Sequence, residues 1–232
     1  MRQIIFDTET TGLYPEQGHR LIEIGAVELI QRKRSGRCFH YELNPEREID
    51  AEATRVHGKT WDSLKQAPLF ASIAEELLAF VAGAELIIHN APFDVGFIDS
   101  ELRRWRPTHP GLASLCAITD TLVMAKTLHP GQRNSLDALA RRYAVEERDR
   151  SFHGALLDAE ILADVYLAMT GGQVGLAFGG GNEGADGSPQ QAEAPRAIAA
   201  QTAALRVQMA TPEELQRHAR SLQALGEAAL WS

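Results

Sequence analysis

The chain has 232 residues, 44% of them hydrophobic and 23% charged, with a formal net charge of −8. That composition fits a globular chain of one large domain, or one domain with an appendage. No apolar run approaches the ~20 residues a membrane helix needs, and the first residues lack the long apolar core of a signal peptide. Cys38 and Cys116 stand far apart without ligand-like spacing, which predicts free thiols in a cytoplasmic protein. The acidic balance argues against a surface that holds nucleic acid by phosphate contacts of its own.

In chain order, Gln3–Glu9, Leu21–Gln31 and Arg37–Leu43 read as strands, the last two joined by a polar turn at Arg32–Gly36. Phe70–Val81 has helical spacing, and Glu85–His89 has the length of a short buried strand. Pro92 stands where a helix begins, so Ala91–Trp105 is expected to be that helix. A strand at Leu115–Asp120 leads into Thr121–Leu128, and Asn134-Ser135 caps a helix that runs to Tyr143. A last helix covers about Gly154–Met169 and stops at Gly171. Three leading strands followed by strand–helix alternation predict an α/β fold, a mixed β-sheet flanked by helices.

Composition changes after Gly171. From Gly179 to Pro195 the chain is rich in Gly, Glu, Gln and Ala without hydrophobic periodicity, the signature of a flexible linker. Apolar residues return over Ile198–Trp231, where Thr211-Pro212-Glu213-Glu214 forms a helix start with Thr at the N-cap and Pro next. Leu215, Ala219, Leu222 and Leu225 or Gly226 make a stripe that suits a partner's groove, the alternative being a helix folded back on the first domain. The expected division is a domain at 1–172, a short peptide at 173–178, a linker at 179–196 and a helical tail at 197–232.

Several acids stand where a plain scaffold would not place them. Asp7 and Glu9 lie two apart on a predicted strand, so their side chains leave the same face with Cα atoms ~7 Å apart, while Ile4, Phe6 and Thr8 point the other way. They repel unless a cation or proton sits between them, or unless the strand end runs into solvent. Asp158 joins Ile161, Leu162, Val165 and Met169 in one helical stripe, so an acid interrupts an apolar face. It is either a helix cap, the partner of an Arg, or a metal ligand at the edge of the core. His153 cannot share that face if both residues are helical, but on an incoming loop before Gly154 it can reach over it. Asp94 starts a stripe with Phe97 and Ile98, and by itself reads as an acid stabilising the first turn. Asp99 and Glu101 read as solvated surface acids. Four acids and one His form a donor set for hard divalent cations, Mg²⁺ or Mn²⁺ rather than zinc, and two such ions can clamp the oxygens of a phosphodiester.

Phe6-Asp7-Thr8-Glu9-Thr10-Thr11-Gly12-Leu13, His89-Asn90-Ala91-Pro92-Phe93-Asp94 and His153-Gly154-Ala155-Leu156-Leu157-Asp158-Ala159 occur in this order. They resemble the three motifs of the DEDDh exonuclease family, which has the ribonuclease H-like fold, and most of all those members that proofread for bacterial DNA polymerase III. The likeness extends over Ile22–Glu28, Val56-His57-Gly58, Arg133–Leu139 and Tyr166–Gln173, and so over essentially the whole first domain. The resemblance implies a two-metal 3′→5′ exonuclease that removes single nucleotides from DNA 3′ ends. It makes Asp7, Glu9, Asp94 and Asp158 the metal ligands and His153 the general base. It implies that Glu52 and His57 contact the terminal nucleotide, and that Thr10, Leu13, Asn90 and Phe93 line its pocket. Gln173-Val174-Gly175-Leu176-Ala177-Phe178 resembles the Gln-x-x-Leu-x-Phe peptide of sliding-clamp partners, with Gln173, Leu176 and Phe178 as its contacts. The tail then implies docking to the polymerase III alpha subunit, and a small theta-like subunit is a further implied partner. Cations at the acids and partners that hold the DNA would together answer the unfavourable net charge. Two alternatives are a free-standing DEDDh nuclease acting on RNA ends or short oligonucleotides and a non-catalytic adaptor between clamp and polymerase. The tail argues against the first and the complete acid set against the second.

Overall fold

The computed structural model describes residues 1–145, 152–171 and 210–225. The expected clamp peptide (Gln173, Leu176, Phe178), the linker at 179–196 and much of the 197–232 tail lie outside the described residues. The chain divides into two units, Met1–Ala177 and Phe178–Ser232.

The first unit is built on a five-stranded mixed sheet: β1 (Arg2–Thr10), β2 (Leu21–Ile30), β3 (Lys33–Glu42), β4 (Glu85–Ile88) and β5 (Ala117–Asp120), in the order β3-β2-β1-β4-β5. β1 is central, antiparallel to β2 and parallel to β4, and β4 is parallel to β5. The helices are α1 (Ala51–His57), α2 (Trp61–Leu64), α3 (Phe70–Val81), α4 (Ala91–Trp105), α5 (Thr121–Leu128), α6 (Leu136–Arg142) and α7 (Ala155–Thr170).

The alternation along β1 sorts the core into two layers. Ile4 and Phe6 point to the layer shared with α3 and α4, where Ile73, Leu77, Phe97 and Ile98 are buried. Ile5 points to the opposite layer and packs with Val27, Leu29 and Ile87 against Leu162 and Tyr166 of α7. The other side of α7 buries Ile161 and Val165 with Leu139 of α6 and Ala125 of α5. Helix α7 is thus apolar over most of its circumference because it is wedged between the sheet and a further layer.

The structure departs from the sequence reading in the β2–β3 connection, in a helix the sequence does not show, and at two acids. The β2–β3 connection is a two-residue turn at Gln31 and Arg32, with φ of 50° and 64°, and β3 begins at Lys33 rather than Arg37. Positive φ at both central residues matches the right-handed twist of the flanking strands. Gly36, φ 84°, sits inside β3 where the register with β2 shifts between Val27 and Leu29, so it marks a bulge and not the turn. Helix α1 was not legible: its N-cap Asp50 makes no side-chain capping bond, and His57 is its single buried residue. Glu101 is not a surface acid. It is 3% exposed, and its two carboxylate oxygens accept from Arg20 Nε at 2.6 Å and Nη2 at 2.9 Å. Asp99, half-buried, accepts the Leu112 N–H at 2.8 Å.

Within the second unit, α8 (Pro212–Leu225) has the expected start. Glu214 N donates to Thr211 Oγ1 at 3.3 Å while Glu214 Oε2 accepts the Thr211 N–H at 2.8 Å, a reciprocal cap. Leu215 is 60% exposed on this helix.

Candidate active site

The site forms where the C-terminal half of β1 meets the start of α7. A Cβ on Gly25 would lie 2.2 Å from the backbone of Ala155 and Leu156, so glycine alone lets the first turn of α7 rest on the sheet. Gly25 pairs across the ladder with Asp7, so the same approach sets α7 beside the two β1 acids. Asp158, one turn into α7, is 4% exposed and lies beside Glu9.

His153 precedes the N-cap Gly154 on a loop rather than within the helix. Its N–H donates to the Val56 carbonyl at 3.0 Å, which ties the loop to α1. Nδ1 lies 3.0 Å from Asp158 Oδ2, and the side chain is 42% exposed, so the imidazole spans from the buried acid to solvent. One ligand atom from each of Glu9, His153 and Asp158 fall within 4.8 Å of one another. Asp7 and Asp94 are not part of that tight group. Asp94 comes to it from the opposite layer, at the first turn of α4. It is 3% exposed, and Thr8 Oγ1 donates to its Oδ1 at 2.7 Å.

The electrostatics are those of carboxyl groups buried close together. Burial, followed by the Asp158 carboxylate, pushes the Glu9 carboxyl from 4.5 to about 8; Glu23 and Asp94 add to the rise and His153 opposes it. Burial likewise pushes Asp94 from 3.8 to about 7, against the hydrogen bonds it accepts from Thr8. Carboxylates brought together at this cost are a donor set that suits a hard divalent cation, which prefers oxygen ligands and favours their ionised form.

Glu9 also belongs to the wall of a cavity of about 430 Å³. Of the residues expected at the nucleotide, Thr10, Leu13, Glu52, His57 and Phe93 line it. Asn90 does not; it is exposed at the N-cap of α4, in the left-handed region with φ 66°. Glu52 is exposed, its nearest charged partner being Arg55 at 3.6 Å. His57 is 5% exposed and kept neutral: burial, then the Lys59 ammonium, lowers its pKa. The Lys59 N–H donates to its Nδ1 at 3.0 Å, which puts the ring proton on Nε2. The wall also contains Tyr14, His19, Asp50 and Val56, which sequence reasoning missed. They come from the 11–20 loop and from α1, and neither segment carries a periodicity that would have placed them.

Comparison with known proteins gives the family. The exonuclease family model matches residues 4–166. The DNA polymerase III subunit epsilon of Escherichia coli (strain K12) is 47% identical over 238 residues, covering 99% of this chain and 97% of the relative. That of Rickettsia prowazekii (strain Madrid E) is 50% identical over 173 residues, 75% of this chain and 76% of the relative. Among solved structures, exonuclease X in complex with 5′ overhanging duplex DNA superposes with a TM-score of 0.54 at 26% identity, covering 73% of this chain and 90% of that one. A 3′-exonuclease that recognises a histone mRNA stem-loop shares the fold, with a TM-score of 0.60 at 17% identity over 73% of this chain and 64% of that one. Exonucleases of this family depend on divalent metal ions. The chain belongs to the exonuclease family, in the group of DNA polymerase III epsilon subunits, and is a 3′→5′ exonuclease.

Proposed function

We propose that the chain edits DNA 3′ ends beside a replicative polymerase, with Asp7, Glu9, Asp94 and Asp158 holding two divalent cations, Mg²⁺ or Mn²⁺, and His153 acting as general base. The observation that carries this reading is the meeting of Glu9, His153 and Asp158 at the edge of the nucleotide-sized cavity. Cations bound there would supply Lewis-acid stabilisation of the charge that develops on the scissile phosphate.

The chain's own residues do the rest. His153, on a loop and part-exposed, is placed to take the proton from the attacking water. Its contact with Asp158 orients the ring and stabilises the imidazolium that results. Thr8 fixes Asp94 from behind, so the fourth acid is held in one rotamer. His57, neutral and buried in the cavity wall, and Glu52, Thr10, Leu13 and Phe93 enclose the terminal nucleotide. Asn90 would act by shaping the turn before α4. Such a cavity takes a single unpaired nucleotide, so a mismatched end, which frays at lower cost, enters more readily than a paired one.

In this reading residues 1–172 are the nuclease and 173–178, through Gln173, Leu176 and Phe178, engage the sliding clamp. Residues 179–196 act as a linker, and the 197–232 tail, with the exposed Leu215 on α8, docks on the polymerase alpha subunit. A small theta-like subunit completes the assembly, which works in the cytoplasm. The direct test is digestion of DNA with paired and mismatched 3′ ends by the purified chain in Mg²⁺. Mismatched ends should be shortened faster, and equal rates on both ends would refute editing by fraying.

A further inference from the structure

The cavity contains a buried imidazole that the proposed hydrolysis does not use. His19 is 8% exposed, yet its ring forms part of the cavity wall with Glu9, Glu52 and Phe93. Its place is set by the loop that follows β1. Gly12 provides the seat, because a Cβ there would come within 2.3 Å of the ring carbon Cε1. Thr11, fully buried, anchors one nitrogen with its Oγ1 3.0 Å from Nδ1. That hydroxyl accepts the Arg20 N–H at 3.0 Å and keeps its own proton to give to Nδ1, while the acceptor-only Asp50 carboxylate 3.6 Å from Nε2 favours the tautomer with the ring proton on Nε2. Nε2 thus presents a donor at the wall.

Beside it is Asp50, which also lines the cavity and whose side chain is 53% exposed. Asp50 Oδ2 lies 3.6 Å from Nε2, too far for the two to satisfy each other. A donor and an acceptor held side by side, both facing one cavity, match a ligand edge that offers an acceptor and a donor together.

We propose that His19 and Asp50 form a recognition pair for the terminal nucleotide, Nε2 donating to its polar edge and the Asp50 carboxylate accepting from it. This rests on the reading of the cavity as the nucleotide subsite. Two parts of a nucleotide offer such an edge: the 3′-hydroxyl, which accepts and donates through one oxygen, and the hydrogen-bonding edge of the base. Neither residue belongs to the acids or the general base of the proposed hydrolysis, so the pair acts on binding rather than on the chemical step.

The test is steady-state hydrolysis of single-stranded oligodeoxynucleotides by the full chain in Mg²⁺, with wild type, His19→Asn and Asp50→Asn. Asparagine keeps a polar atom for Thr11 but lacks the group at Nε2. Three 3′ ends are compared: an ordinary nucleotide, a 2′,3′-dideoxynucleotide and an abasic residue. Both variants should raise KM on the ordinary end about tenfold, with kcat held within about twofold. On whichever end lacks the recognised group, wild type should show the raised KM already and the variants should add nothing. An unchanged KM, or a rise of equal size on all three ends, would overturn the pair. If His19→Asn loses its thermal midpoint, Asp50→Asn decides alone, since its side chain is exposed. A wild type that releases no nucleotide would refute the functional reading itself, whereas an active wild type with indifferent variants refutes this inference alone.

Discussion

Replacing Glu9 with Gln is predicted to flatten the pH dependence of stability in the cation-free protein while removing its activity. The Glu9 carboxyl titrates at about 8 in the fold against an ordinary value of 4.5, so between those values the folded state holds a proton that the unfolded chain has released. Stability present below the lower value is therefore lost as pH rises through the upper one, at up to ~1.4 kcal/mol per pH unit for one proton. Asp94, raised from 3.8 to about 7, acts in the same direction over a slightly lower window. Because the carboxyls repel one another, their effects overlap, and the pair together is worth a few kcal/mol. The assay is urea unfolding in EDTA at about pH 5, 6.5 and 8. Wild type should weaken across that range, Glu9→Gln should weaken less, and Mg²⁺ should restore wild type most at the highest pH, where the acids are most readily ionised. A wild-type stability that is flat or rises with pH, or a Glu9→Gln slope equal to wild type, would refute the reasoning.

Two further outcomes follow from the packing and the tail. Gly25→Ala should cost roughly 1–3 kcal/mol in denaturant unfolding and should lower kcat by displacing the start of α7, because its Cβ would strike the Ala155 backbone. An alanine variant with wild-type stability and kcat would mean that the helix has room to move. Replacing Leu176 and Phe178 together with Ala should weaken binding to a bacterial sliding clamp in a pull-down or surface-binding assay while nuclease activity stays intact; unchanged clamp affinity would remove that assignment.

Much of the sheet is legible in the sequence because burial on one or both faces leaves a clear apolar pattern. The two faces of β1 separate as the alternation predicts, Ile5 to the α7 layer and Ile4 with Phe6 to the α4 layer. Asp158 stands out for a related reason: within an apolar stripe an acid is costly, and the fold buries it among partners rather than exposing it. Asp94 is harder to recognise, because an acid in the first turn of a helix has an ordinary local explanation and nothing near it in sequence reveals the contact with Thr8. The cavity wall is least legible. His19 reaches it through the folding of one loop onto Gly12, and α1 lacks both an apolar stripe and a side-chain cap. Glu101 reads as a surface acid because its partner Arg20 is 81 positions away in the chain. Long-range pairs of this kind determine which acids are structural and which are left for chemistry.

If the acids around β1 and α7 perform metal-dependent hydrolysis at a 3′ end, activity needs both Mg²⁺ and Asp158. The most direct measurement is release of 5′-mononucleotides from single-stranded DNA by wild type and Asp158→Ala, each in Mg²⁺ and in EDTA. Wild type should release them only in Mg²⁺ and Asp158→Ala should release none, with its fold verified by circular dichroism. Full activity in the folded Asp158→Ala protein, or in wild type with EDTA, would contradict the account.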